Sequence, residues 1–307
     1  MRITFIKSLI EIVRSDKRVM LITGDLGFSV FEEFQKNYPR QYLNPGVAEQ
    51  SLTGIAAGLA LEGKIPFIYS IVPFITMRNF EQIRNDICYQ NLNVKIIGVG
   101  AGLSYGIYGH THYGLEDISL MRILPNMTVF SPGDPVEVAW VVSEAMKIQG
   151  PCYIRLGKVG EPIVHKNKVR LKVGKGAIIQ DGKDLTIMAT GVLLPRALEV
   201  ASLLKRRGFH SRIVSIHTIQ PLDEELIVDC VRETKAIFTL EEHFIQGGLG
   251  TAVAEVIAEK NLQIPFRRFG VLHKFFCTTG SQEYMRSQSG LTADQLAMSI
   301  ESYIKKQ

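Results

Sequence analysis

No stretch of this chain runs eighteen apolar residues without a charge, so nothing in it reads as a membrane span. The opening FIKSLIEIVRSD is amphipathic, with Lys7, Glu11 and Arg14 on one side. It lacks the uninterrupted apolar core and small-residue cleavage site of a signal peptide. Cysteine is scarce. Positions 88, 152, 230 and 277 are far apart and form no CxxC pair, which predicts reduced cytoplasmic thiols packed as small hydrophobes. An excess of one charge is missing too. A net charge of +5 with no basic tail gives no sign of the clustered basic face that nucleic-acid binding requires. Internal repeats and low-complexity tracts are absent.

What is present is globular. Hydrophobic residues make up 46% of the 307, enough for a full core, and the 21% charged argues against disorder. The length suits two domains. Strand-like runs fall at 19–23, 65–71, 94–99, 127–131 and 151–156, with helical periodicity at 48–62, 76–90 and 134–149. Such alternation predicts a parallel sheet covered on both faces. From 157 to 183 the pattern breaks into glycines, Pro162 and many lysines. It then resumes as strands at 184–190, 211–216, 235–241 and 266–269, with helices at 193–207, 223–233, 248–260 and near 292–305. The expected architecture is two tandem parallel-sheet α/β domains, 1–160 and 184–307, joined by a linker at 161–183.

One carboxylate stands out. Asn44-Pro-Gly-Val-Ala-Glu-Gln-Ser51 places Glu49 in the first turn of an Ala/Gly/Leu-rich helix ending at Glu62. Small residues at 54, 56, 57, 58 and 60 predict close packing against a neighbour. On spacing alone, Glu49 reads as an acid complementing the helix dipole.

Its companions change that reading. GDLGFS at 24–29, MRNFEQIRND at 77–86, GHTHYGLED at 109–117, PNMTVFSPGDP at 125–135 and GPCYIRLGK at 150–158 follow in order. TIMATG at 186–191, HTIQPLD at 217–223 and EEHFIQGGLG at 241–250 continue the series. Together with VAEQ at 47–50 they resemble the transketolase family of thiamine diphosphate enzymes over nearly the whole chain. The resemblance implies a pyrimidine-binding domain followed by the transketolase C-terminal domain.

It also implies roles. Glu49 matches the glutamate that hydrogen-bonds the cofactor's pyrimidine ring and promotes loss of the thiazolium proton. Burial, which favours the neutral carboxyl, would assist that proton sharing. Phe74 is the candidate for the aromatic wall on the pyrimidine, ahead of Tyr69 and Phe80, and Asp25 matches an aspartate close to the thiazolium. His112, in Thr111-His112, matches the histidine that reaches substrate hydroxyls, and imidazole suits proton transfer near neutral pH. Arg78, Arg155, Lys158 and Ser29 match or neighbour positions for the substrate and its anion. Two cations after a strand suit an anion at an α/β crevice. Tyr108 stands where relatives carry an aspartate that contacts a sugar hydroxyl, and His110 is also unusual, so sugar recognition is expected to differ. Two histidines without a third ligand do not predict a metal. Glu116 and Asp117 read as caps of the next helix. The glycines of 247–250 read as close packing at the start of a helix.

The family's Gly-Asp-Gly magnesium motif is missing. The resemblance therefore implies the second subunit of a split transketolase. A separate N-terminal subunit would hold the diphosphate and Mg2+ in an α2β2 assembly that transfers a two-carbon ketol unit from an anionic ketose to an aldose. A deoxyxylulose-phosphate-synthase-like condensation, a 2-oxo-acid dehydrogenase beta subunit and a non-catalytic pairing subunit are the alternatives.

Overall fold

A computed structural model describes residues 1–158, 160–166 and 169–306. Val159, Asn167, Lys168 and Gln307 lie outside the described residues, the first three of them in or beside the expected linker. Among the described residues twelve strands form two sheets. They are β1 Val19–Thr23, β2 Tyr42–Leu43, β3 Ile65–Ile71, β4 Lys95–Val99, β5 Thr128–Phe130 and β6 Cys152–Leu156, then β7 Ala177–Gln180, β8 Leu185–Ala189, β9 Ser211–Ser215, β10 Thr218–Gln220, β11 Ile237–Phe244 and β12 Phe266–Val271. The first sheet runs β10-β5-β6-β4-β3-β1-β2, and the second runs β12-β11-β8-β9-β7. All pairs are parallel except β10 with β5 and β7 with β9.

Three strands depart from the expected plan, the two-residue β2 and two from later in the chain. Residues 177–180, assigned to the linker, pair with β9. β10, from the second half of the chain, completes the edge of the first sheet through Thr218–Phe130 and Gln220–Val129. All three are too short to carry an alternating pattern.

The strands of the first sheet are apolar on both faces because helices cover both. Ile22, Ile68 and Ile96 pack with Leu52 and Ala56 on one side. Leu21, Phe67 and Ile97 pack with Phe5, Leu9 and Val141 on the other. Helix Glu49–Leu61 lies on the first of these faces. Ala56 and Ala57 are buried there, but a Cβ built at Gly54 or Gly58 meets nothing within 4 Å. Close packing is therefore limited to one side of the helix within the described residues. The helix expected over 76–90 is three pieces, Val72–Thr76, Phe80–Gln82 and a π-turn at Ile83–Cys88. The break coincides with Asn79, buried and donating to Thr53 Oγ1 at 2.6 Å. Among the described residues no helix is long and apolar enough to cross a membrane.

Candidate active site

The site is built at the C-terminal ends of the parallel strands, where loops leave an α/β sheet free to bind. Glu49 opens its helix and is 0% exposed. Its Oε1 accepts from Ser70 Oγ at 3.0 Å, and its Oε2 accepts from Arg78 Nη1 at 2.7 Å. Strand alternation explains Ser70: it faces Glu49 while Tyr69 points to the opposite face, against Phe5 and Phe31. That orientation also removes Tyr69 as a stacking wall. At the end of β1, a Cβ on Gly24 would lie 3.5 Å from Glu49 Oε1.

A line of contacts leads outward from this carboxylate. The Arg78 guanidinium lies 4.8 Å from the Phe74 ring centroid, a cation–π contact. Phe74 meets the His112 ring edge-on at 5.2 Å. His112 Nδ1 is hydrogen-bonded to Thr111 Oγ1 at 3.0 Å, and no described residue partners its Nε2. Tyr108, 56% exposed, tilts against His112 at 5.3 Å. Lys158 Nζ sits 4.7 Å from the Tyr105 ring and 5.8 Å from that of Tyr108. The structure thus brings together Glu49, Arg78, Phe74, His112, Tyr108 and Lys158. Ser70 and Tyr105 join them without any signal in the sequence, since each depends on a partner far away in the chain.

Asp25 and Ser29 lie in the loop after β1. Both adopt left-handed backbone, φ 56° and 61°, which is uncommon for side-chain-bearing residues. Asn44 holds Asp25, with its Oδ1 accepting from Asp25 N at 3.0 Å and its Nδ2 donating to Asp25 Oδ1 at 3.1 Å. Ser29 N donates to Glu32 Oε1. No described hydrogen bond or ring contact joins either residue to the Glu49–Lys158 line.

Three expectations need correction. Arg155 is not at a substrate crevice: it is 1% exposed, and its Nε donates to Asp117 Oδ2 at 2.7 Å. Its Nη2 donates to Gly114 O at 2.7 Å and to Glu242 O, in β11, at 2.9 Å. The reason is position: Arg155 lies within β6 and so faces packed protein, whereas Lys158 lies beyond the strand's end. Glu116 and Asp117 do open helix Asp117–Arg122 as its N-cap and first residue, but neither side chain caps it, and the Asp117 carboxylate is instead the buried partner of Arg155 and of the Tyr153 hydroxyl. His110 packs among Tyr113, Phe244, Phe275 and Phe276 rather than beside His112, and burial lowers its pKa. His110–His112 is a 3₁₀ turn, so residues two apart point to different sides.

Asp134, Glu137 and His165 lie close enough to hold a cation. Protein donors already serve all four carboxylate oxygens. Asp134 accepts from the amides of Glu137, Val164 and His165. Glu137 accepts from Gly133 N, His165 Nε2 and Ser215 Oγ. This is a polar hub that ties the linker down. The start of helix Leu249–Glu259 is likewise filled from within, since Glu241 accepts from Leu249 N and Gly250 N at 2.8 Å each.

The chain is similar to known proteins over nearly its whole length. Residues 1–159 match the family described as transketolase, pyrimidine binding domain, and residues 174–296 match transketolase, C-terminal domain. A putative transketolase C-terminal section from Methanocaldococcus jannaschii is 38% identical over 310 residues, covering 100% of this chain and 97% of the relative. A 6-deoxy-6-sulfo-D-fructose transketolase subunit from Clostridium sp. (strain MSTE9) is 34% identical, covering 96% and 92%. A solved structure described as a split gene transketolase, inactive beta4 tetramer, is 39% identical with a TM-score of 0.89, covering 98% of this chain and 97% of that one. This chain therefore belongs to the transketolase family of transferases and carries its pyrimidine-binding and C-terminal domains.

Proposed function

We propose that this chain serves a thiamine-diphosphate-dependent transfer of a two-carbon ketol unit from an anionic ketose to an aldose. It does so with a second subunit that carries the diphosphate and Mg2+ site, in an α2β2 assembly. The observation that carries the reading is the surroundings of Glu49. The Arg78 guanidinium, a flat nitrogen donor, bonds this buried carboxylate while lying over Phe74. An aminopyrimidine asks for the same two partners, so the residues fit the cofactor's ring. Glu49 would hold the ring nitrogen and share its proton, and Phe74 would stack on the ring. When bound, the cofactor supplies the carbon nucleophile for ketol transfer. His112, with Nδ1 tied to Thr111, is left to use Nε2 toward substrate oxygens, as donor or acceptor. Lys158 is the cation of the group available for a phosphate or sulfonate, with Tyr108 beside it. Asp25 and Ser29 border the same end of the sheet and are assigned to the cofactor and the substrate anion respectively. The sulfo-sugar named for the Clostridium relative is consistent with an anionic ketose.

The partner should dock on the same face. Phe28, Val47, Met77 and Ile107 are exposed, and each lies in a connection that follows β1, β2, β3 or β4. Apolar groups shown to water around a site mark an interface. The test is reconstitution: this chain alone, and mixed with the diphosphate-binding subunit, Mg2+ and thiamine diphosphate, against a panel of phosphorylated and sulfonated ketoses. Ketol transfer is expected from the mixture only. Robust transfer by the isolated chain would remove the partner from this reading, and silence of the mixture toward every ketose would remove the activity.

A further inference from the structure

Arg78 does more at Glu49 than neutralise it. The side chain leaves the connection between helices Val72–Thr76 and Phe80–Gln82, so its rotation breaks no helix. It is 47% exposed, whereas its carboxylate partner is wholly buried. One hydrogen bond to Glu49 and one ring contact with Phe74 are its only contacts of either kind among the described residues. It is therefore a weakly held cation on a strongly buried anion. Removing all counter-charge from a buried carboxylate is costly. A subunit that keeps such a group ready for a ligand needs a temporary partner for it.

We infer that Arg78 is a displaceable cap: it occupies the aminopyrimidine's place on Glu49 and Phe74, and the cofactor must evict it to bind. This rests on the function proposed above. Two features of the site lead here. First, Arg78 holds Oε2, the oxygen of Glu49 that Ser70 leaves free, so a ring nitrogen approaching that oxygen meets the guanidinium. Second, both are flat groups that seek the Phe74 face, and one face cannot hold both. Binding and uncapping are then a single equilibrium, and the apparent affinity for the cofactor is reduced by the fraction of sites uncapped. A cap closed in nine sites of ten weakens binding about tenfold.

The experiment is calorimetric titration of thiamine diphosphate, with Mg2+ present, into the complex of the full chain and its diphosphate-binding partner. Unaltered protein, Arg78→Met and Arg78→Lys are compared. Met keeps the unbranched stem without charge or donor, and Lys keeps the charge without the flat fork. Thermal unfolding checks that each variant is folded, and Arg78→Lys keeps the test open should the Met variant fail to fold. The expected result is a dissociation constant about tenfold lower for Arg78→Met, with Arg78→Lys in between. Equal or weaker binding by a folded variant, beside normal binding by the unaltered complex, overturns the cap and leaves the proposed function standing. No binding by the unaltered complex overturns the proposed function, and the cap with it.

Discussion

A carboxylate with no exposed surface needs donors for both oxygens, and Glu49 has Ser70 for one and Arg78 for the other. Gln keeps one acceptor for Arg78, and its amide can donate to the Ser70 hydroxyl, but it cannot share an acidic proton. Glu49→Gln in the reconstituted pair should lower turnover by about 100- to 10,000-fold, while the melting temperature stays near that of the unaltered chain. Lys158 acts at the other end of the line. Lys158→Ala should raise the Michaelis constant for anionic ketoses and leave thiamine diphosphate binding unchanged, since remote contacts position the reacting end. Arg155 belongs to the fold instead. Arg155→Met leaves Asp117 buried and uncompensated, and chemical denaturation should show a loss of about 3–5 kcal/mol. The double variant with Asp117→Asn should recover part of it. The contrast between these two cations shows what the sequence made legible. Glu49 and His112 sit in motifs whose order carries information, and Phe74 lies just before another, MRNFEQIRND at 77–86. Whether Arg155 or Lys158 met solvent depended on where β6 stops, and neither Ser70 nor Asp117 announces a partner dozens of residues away.

At the scale of elements, long buried strands and amphipathic helices, the broken one over 76–90 excepted, were legible to within a few residues, because periodicity accumulates over their length. β2, β7 and β10 were not, having two to four residues each. The start of helix Leu249–Glu259 shows how an element end can hide titrating groups. Burial pushes Glu241 up to about 7 and His243 down to about 4, and the two lie 3.8 Å apart. Between about pH 4.5 and 6.5 an unfolded chain carries a carboxylate and an imidazolium at these positions, and the folded chain a carboxyl and an imidazole. Both states hold one proton, so the two contributions to pH dependence cancel. Single variants should uncover them. In Glu241→Gln only His243 remains, and its depressed value makes stability fall as pH drops from about 6.5 to 4. In His243→Gln only Glu241 remains, and its raised value makes stability fall as pH climbs from about 4.5 to 7. The slope in each case is at most about 1.4 kcal/mol per pH unit. Denaturant midpoints across that range, compared with the unaltered chain, check both signs.

The whole molecule is tied together more tightly than two domains on a linker would be. Arg155 reaches from β6 to the backbone of Glu242, and the Asp134–Glu137–His165 hub receives Ser215 from β9. The segment expected to be a plain connector gives one strand to the second sheet and two backbone amides to Asp134. β10 goes further. A piece of the second half guards the border of the first sheet, pairing in reverse with Val129 and Phe130. An uncovered border of this kind is a template for any other chain that meets it. A fragment of residues 1–160 should therefore associate further than the full chain does, which light scattering at matched concentration would reveal. The consequence reaches past stability to heredity: a recombination event that removed the second coding half without replacing its β10 would leave the first sheet short of its border strand.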